Sequence, residues 1–382
     1  MKQLNIALFA SALLALTACG TTKQAEPAPL THYGTAVNID RVWRVSAGKG
    51  ALDSHLKLQP SVNGDVIYTA DTSGDVSAIN IESGKRLWRY HYPASFSSNL
   101  ASTDEAIYIG SNEGILFKID ATYGYAIWSR AMPSSIIAKP LVNNNTIYVK
   151  TINGEITALE DADNTKILWT YQQPNPPLIL RDTSNLSLTG DNLIAGFPNG
   201  HLVKLASNNG TPIWEKEVKQ PEGKTDVERM VDIDATPILE GQNIYTATYQ
   251  GEILALSEVS GDVRWSHDSS IYNNLGTDET ALYATDEKSF LWAYDKNTGE
   301  ALWRQESFKN RNLTAPAILG SFLIVGDSEG YIHVVDTESG RLLGRTKIST
   351  TGISATPIVV NDNVLVLTNG GVLYAFHISD KK

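Results

Sequence analysis

The 382-residue chain has a single cysteine, Cys19, so no intramolecular disulfide can staple it and its stability must come from a core. Charge is scarce at 19%, and acids outnumber bases to leave a formal net charge of −11. No cluster of Lys and Arg interrupts that balance. This excludes nucleic acid as a partner, because phosphate binding needs concentrated positive charge. The seven histidines stand at 32, 55, 91, 201, 267, 333 and 377, with no i,i+4 pair and no cysteine beside them, so metal-ligand spacing is missing. There is no Gly-x-Ser-x-Gly elbow and no phosphate-cradling glycine loop. After residue 16 no apolar run is long enough to cross a bilayer. Catalysis and cofactor binding have no visible apparatus.

What is present begins with a different material. Lys2 supplies a positive start, "IALFASALLAL" (6–16) is an apolar run of signal-peptide length, and "LTAC" (16–19) closes it. Leu-small-small-Cys after such a run resembles the lipobox of bacterial lipoproteins. The resemblance implies a cleaved signal over 1–18 and acyl chains on Cys19. Several acyl chains anchor durably where one does not. Gly20, rather than Asp, follows the cysteine, which favours delivery to the outer membrane. "TTKQAEPAPLTHYG" (21–34) reads as a flexible tether, so 19–36 is expected to be lipidated Cys plus linker.

The remainder repeats itself. "DVIYTADTSGDVSAINIESGKRLW" (65–88) returns as "EAIYIGSNEGILFKIDATYGYAIW" (105–128), "NIYTATYQGEILALSEVSGDVRW" (243–265) and "ALYATDEKSFLWAYDKNTGEALW" (281–303). Looser copies lie at 146–169, 192–214 and 322–344. Closing tryptophans fall at 43, 88, 128, 169, 214, 265 and 303, and Gly344 takes that place in the last copy. The pattern is an apolar run, a Gly turn, a second run, a Ser/Thr-Gly turn such as Ser83-Gly84 or Thr298-Gly299, and a strand ending in Trp. A unit of about 40 residues with four strands is a propeller blade. "ATPIVVNDNVLVLTNGGVLYAF" (355–376) supplies three strands of a final copy, and "DRVWRV" (40–45) supplies the fourth from the front of the chain. Pairing the two closes the ring and removes open edges. The expectation is an all-β, eight-bladed propeller of four-stranded antiparallel blades over 37–380.

These repeats resemble those of quinoprotein dehydrogenases. Such enzymes generally set a vicinal Cys–Cys disulfide against their quinone and hold calcium, and a lone lipidated cysteine cannot make that disulfide. Paired acids at Asp104-Glu105 and Asp278-Glu279 fall at matching places in two blades and read as solvated turns. Trp292 lies off the register of the other tryptophans and reads as sheet packing, with sugar stacking as the alternative. A glycan- or cell-wall-binding propeller would show exposed aromatics on one face, whereas these tryptophans recur at a structural place.

A repeat scaffold places function in its irregular connections. From each closing Trp, or Gly344, to the next innermost strand, most links run 10 to 13 residues. Trp43 to Pro60 takes 17, Trp169 to Leu186 takes 17, and Trp214 to Pro237 takes 23. The last two enter consecutive blades and should emerge side by side on one face. "YQQPNPPLILRDTSN" (171–185) offers Leu178, Leu180 and Arg181 behind stiffening prolines. "EKEVKQPEGKTDVERMVDIDATP" (215–237) offers Asp226, Glu228, Asp232 and Asp234. The expected arrangement is an apolar knob with a cation, rimmed by carboxylates, with Arg181 bridging to Asp232 or Asp234.

An exported lipoprotein that is one quinoprotein-like propeller resembles the B-subunit lipoprotein family of the outer-membrane β-barrel assembly machinery. The match spans the chain after the signal. It is most specific at "LILR" (178–181) and "RMVDIDATP" (229–237), where that family has Leu-x-Leu-Arg and Arg-x-x-Asp-x-Asp-x-Thr-Pro. The resemblance implies a non-catalytic scaffold without cofactor, at the periplasmic face of the outer membrane. Its implied partner is the POTRA region of the machinery's central barrel subunit, with the other machinery lipoproteins met indirectly. The contact positions implied are Leu178, Leu180, Arg181, Asp232 and Asp234. The family's segment continues Arg-Gly, whereas here Asp182 follows Arg181, which adds a carboxylate beside the cation.

Overall fold

Val66–Ala70 and Asp75–Asn80 show why these residues make blades. Nearly every side chain in both strands is buried, because each sheet is covered on both faces by its neighbours. Alternation survives only in the outermost strand, Arg86–His91, where Leu87 and Arg89 are exposed on either side of the half-buried Trp88 and the strand end is exposed throughout. Gly64 and Gly74 bracket the first of these strands at φ +53° and +98°, conformations that a Cβ disfavours.

The computed structural model describes residues 25–51, 56–163, 166–180 and 184–381. Thirty-two strands form eight four-stranded antiparallel sheets, and no helix occurs among the described residues. Blade 1 runs from Ser61–Asn63 on the inside to Arg86–His91 on the outside. Blades 2 to 7 span 101–131, 141–172, 187–217, 238–269, 276–305 and 317–347. Blade 8 is built from Ile358–Val360, Asn363–Leu367 and Val372–Asp380, and Val37–Ser46 completes it as the outer strand. That closing pair runs from Val37 opposite Asp380 to Ser46 opposite Val372, with one register shift between Arg41 and Trp43. The ring is thus an eight-bladed propeller closed by its own two ends.

The tryptophans join blade to blade. Trp88 Nε1 donates to the carbonyl of Ala121 in blade 2 at 3.1 Å, and its ring lies under Gly124. A Cβ on Gly124 would stand 2.5 Å from the indole. Trp43, Trp169, Trp214, Trp265 and Trp303 repeat the bond to Ile81, Ser207, Glu258, Lys296 and Thr337, beneath Gly84, Gly210, Gly261, Gly299 and Gly340. The glycine of each Ser/Thr-Gly turn therefore serves a positive φ and clears room for an indole. Gly344 breaks the series for a topological reason. Blade 8 has chain ends where the others have that turn, and Val37 of the closing strand occupies the space, so a Cβ on Gly344 would meet it at 2.6 Å.

One expectation changes. The sequence suggests a flexible tether through residue 36, but from Glu26 the chain is held along blade 7. The carbonyl of Glu26 accepts from Asn310 and that of Thr31 from Arg345, while Ala36 N donates to Leu343 O. Cys19 and the expected signal segment lie outside the described residues.

Candidate functional site: three long links on one face

Antiparallel order fixes the two faces of the ring. The links from an outer strand to the next inner strand share one face with the turns between the two middle strands. Tyr92 N bonding Gly74 O and Val218 N bonding Gly200 O tie links to those turns directly.

On this face the two lengthened links meet. The backbone N–H of Leu180 donates to Asp232 Oδ1 at 2.8 Å. Below that bond Ser184 Oγ donates to Ala235 O, and Asn185 bonds Thr236 Oγ1 through both its backbone N–H (3.2 Å) and its side-chain amide (3.0 Å). Tyr249 N donates to Asp232 O and Ile233 N to Phe197 O, seating the segment 230–235 between blades 4 and 5. Gly196 makes the space. A Cβ there would stand 2.5 Å from the Ile233 side chain.

Burial separates the acids of the second link into two groups. Asp232 is 0% exposed and Asp234 3%, whereas residues 220–229, with Asp226 and Glu228, are exposed. Of the four acids expected at the rim, only Asp226 and Glu228 are exposed, and Asp232 and Asp234 are internal anchors. The reason is that Met230–Ala235 must fill the gap between two blades, and its alternating Asp side chains go in with it. The exposed tip is self-organised. Glu228 accepts from the N–H groups of Lys224 and Thr225 at 2.7 and 3.1 Å, and these bonds hold its carboxyl below its ordinary range. Leu178 is 41% exposed, with Pro177 beside it, while Ile179 and Leu180 are half-buried. Arg181 lies outside the described residues.

The described end of the third long link, 56–60, touches distant blades on the same face. Its Leu56 and Leu58 cluster with Ile137 and Ile152 near blade 3, and Lys57 Nζ reaches Asn273 Oδ1, between blades 5 and 6, at 2.6 Å. Tyr272 lies under that ammonium, 4.6 Å from Nζ to the ring centroid. Burial pulls Lys57 down to about 8, and the carboxylate of Asp234 works against that fall. Sequence reasoning found the length of this link and missed its role. A second overlooked signal is the repeated Asn-Leu at 99–100, 185–186 and 274–275. Each leucine is buried, and each Asn Oδ1 accepts a backbone N–H from the preceding link, at Gln59, Lys139 and Thr236. Three links are thus each hydrogen-bonded to the link that follows.

Trp292, off register in the sequence, is half-buried, donates to Asp286 Oδ2 at 3.0 Å and stacks on Tyr294, as a sheet-packing residue does. No group of three or more His, Cys, Asp or Glu among the described residues is placed to hold a metal ion.

Comparison with known proteins agrees with this architecture. The sequence family described as outer membrane protein assembly factor BamB matches residues 35–100, 91–305 and 287–382. The protein of that name from Burkholderia pseudomallei is 32% identical over 370 residues, covering 96% of this chain and 96% of its own. Its counterpart from Legionella pneumophila is 35% identical over 361 residues, covering 94% of each chain. The crystal structure of BamB from Moraxella catarrhalis has the same fold, with a TM-score of 0.81 at 23% identity over 89% of this chain and 100% of its own. The chain belongs to the family of outer membrane protein assembly factor BamB.

Proposed function

We propose that this propeller docks, through the links 171–185 and 215–237, on the periplasmic POTRA region of the central barrel subunit of the outer-membrane assembly machinery. Membership of an assembly-factor family makes the chain a scaffold in outer-membrane protein assembly and not an enzyme. The observation that carries the docking surface is the bond from Leu180 N to Asp232. It joins two irregular links from consecutive blades into one platform and leaves Leu178 raised into solvent. An exposed apolar residue on a rigid platform is a good anchor, because little conformational entropy is lost when a partner covers it. The exposed tip at 220–229 supplies charge beside it, which favours correct encounter over wrong partners.

In this reading Asp232 and Asp234 shape the platform from within, and Leu178, Leu180 and Arg181 meet the partner. Acyl chains on Cys19 confine the ring near the outer membrane and raise its effective concentration at the machinery. Docking then orients the POTRA array for incoming client chains, and other lipoproteins of the machinery are met through the central subunit. The buried position of Asp232 also selects the experiment. A lysine there would break the fold, so the informative change is at the exposed residue. Leu178→Asp should lower co-purification of the central subunit at least about tenfold with the ring intact. A photocrosslinker at 178 should capture that subunit's periplasmic region. Full co-purification by folded L178D, with no crosslink from 178, overturns the proposed surface.

A further inference from the structure

Arg311 is the largest fully buried side chain of the ring, at 1% exposed, and one of its bonds leaves the propeller repeat. Nε donates to Asp327 Oδ2 at 2.7 Å, and a second nitrogen pairs with Glu329. His333 Nε2 meets the same Asp327 oxygen at 2.9 Å. The remaining nitrogen, Nη1, donates to the carbonyl of Ala28 at 2.9 Å. A buried guanidinium is costly unless it is paired and hydrogen-bonded, and here the N-terminal segment supplies the acceptor for its third nitrogen. Ala28 N returns a bond to Lys309 O at 2.9 Å, and Asn310 Nδ2 holds Glu26 O at 3.1 Å.

From there the segment crosses the outer edge of blade 7. Arg345 Nη1 donates to Thr31 O at 2.8 Å, and its guanidinium lies 5.2 Å from the centroid of the half-buried Tyr33 ring. Ala36 N then bonds Leu343 O, and at Val37 the chain turns back as the closing strand. The direction of travel is defined. Lys309 and Asn310 belong to the link between blades 6 and 7, on the same face as 171–185 and 215–237, whereas Leu343 follows the turn on the opposite face.

We infer that residues 26–36 are a strap that fixes where the N-terminus leaves the ring. The exit lies on the link face, about a quarter-turn from the link between blades 4 and 5, since each blade takes about 45° of an eight-bladed ring. This inference rests on the reading of Cys19 as lipidated. Only six residues lie between Cys19 and Glu26, seven Cα-to-Cα steps that reach about 25 Å when fully extended. The strap therefore holds the link face, docking platform included, towards the lipid surface. A free linker from 19 to 36 would allow either face to approach.

The test uses the full lipidated chain in phosphatidylethanolamine–phosphatidylglycerol vesicles that carry an acceptor-labelled lipid. A fluorophore is placed on D226C, at the exposed tip of the link face, or on E338C, on the opposite face. Energy transfer to the lipid should be at least about twofold greater from 226 than from 338. The double change Ala28→Pro and Arg345→Ala removes strap bonds without touching the ring core, and should bring the two values together. Independently of any lipid, the amides of Ala28 and Ala36 should exchange at least about tenfold more slowly than in an unfolded chain. Equal or reversed transfer in the unaltered strap overturns the orientation. Unprotected amides overturn the strap itself. An intact mass without acyl chains on Cys19 removes the lipid reading and the orientation with it, while the exchange result still judges the strap.

Discussion

The backbone N–H of Leu180 and the carboxylate of Asp232, 52 residues apart in the chain, are 2.8 Å from each other on the link face. Because Asp232 is fully buried, this bond acts in a low dielectric, where a hydrogen bond is worth more than it would be in water.

Asp232→Ala should therefore loosen the platform rather than merely trim it. Losing the acceptor leaves a part-buried N–H without its partner, a cost of about 1–3 kcal/mol. Thermal or urea unfolding should show that loss, and proteolysis within 174–185 should quicken. Asp232→Asn, which keeps an acceptor oxygen, should recover most of the stability.

Leu178→Ala should separate stability from binding. The side chain is 41% exposed and lies outside the core, so unfolding should shift by less than about 1 kcal/mol. Pull-down of the central subunit should nevertheless weaken, as an exposed anchor's removal should.

The indole-and-glycine joints predict a graded series. Gly299→Ala places a methyl 2.4 Å from the Trp265 ring at a residue with φ +74°, so clash and backbone strain add, and a loss of about 1–3 kcal/mol is expected. Gly320→Ala is the control. It has a similar φ of +56° but nothing within 4 Å of the added methyl, so it should cost distinctly less in denaturant melts.

Lys57 gives a pH dependence of known sign. Its folded-state value of about 8 lies below its ordinary 10.5, so between those values the unfolded chain binds more protons than the folded one. Stability should then rise as pH goes from about 8 towards 10.5, with the full cost of the buried charge present below 8. Lys139, which burial also pulls down, contributes in the same direction. Lys57→Met should flatten the rise without abolishing it, as read from melting temperatures across that range.

Much of the ring could be read from the chain. Strand runs, turn glycines and recurrent tryptophans repeat because each blade solves the same packing problem, and local sequence carries that solution. The three-strand remnant at 355–376 together with "DRVWRV" at 40–45 even shows how the ring closes. Counting residues between tryptophans likewise locates the long links.

What those links do inside the ring was settled only in three dimensions. Nothing in "VDID" says whether its acids face water. Asp232 and Asp234 are internal because a segment must fill the gap between blades 4 and 5, and because Leu180 N–H and Lys57 arrive there from 52 and about 177 residues away. The same holds for the strap. "EPAPLTHYG" (26–34) has the composition of a linker, and it is held in part because Arg311, some 283 residues after Ala28, finds an acceptor there. Periodic contacts between adjacent strands and blades leave a pattern in the sequence, whereas single contacts across a closed circle leave none.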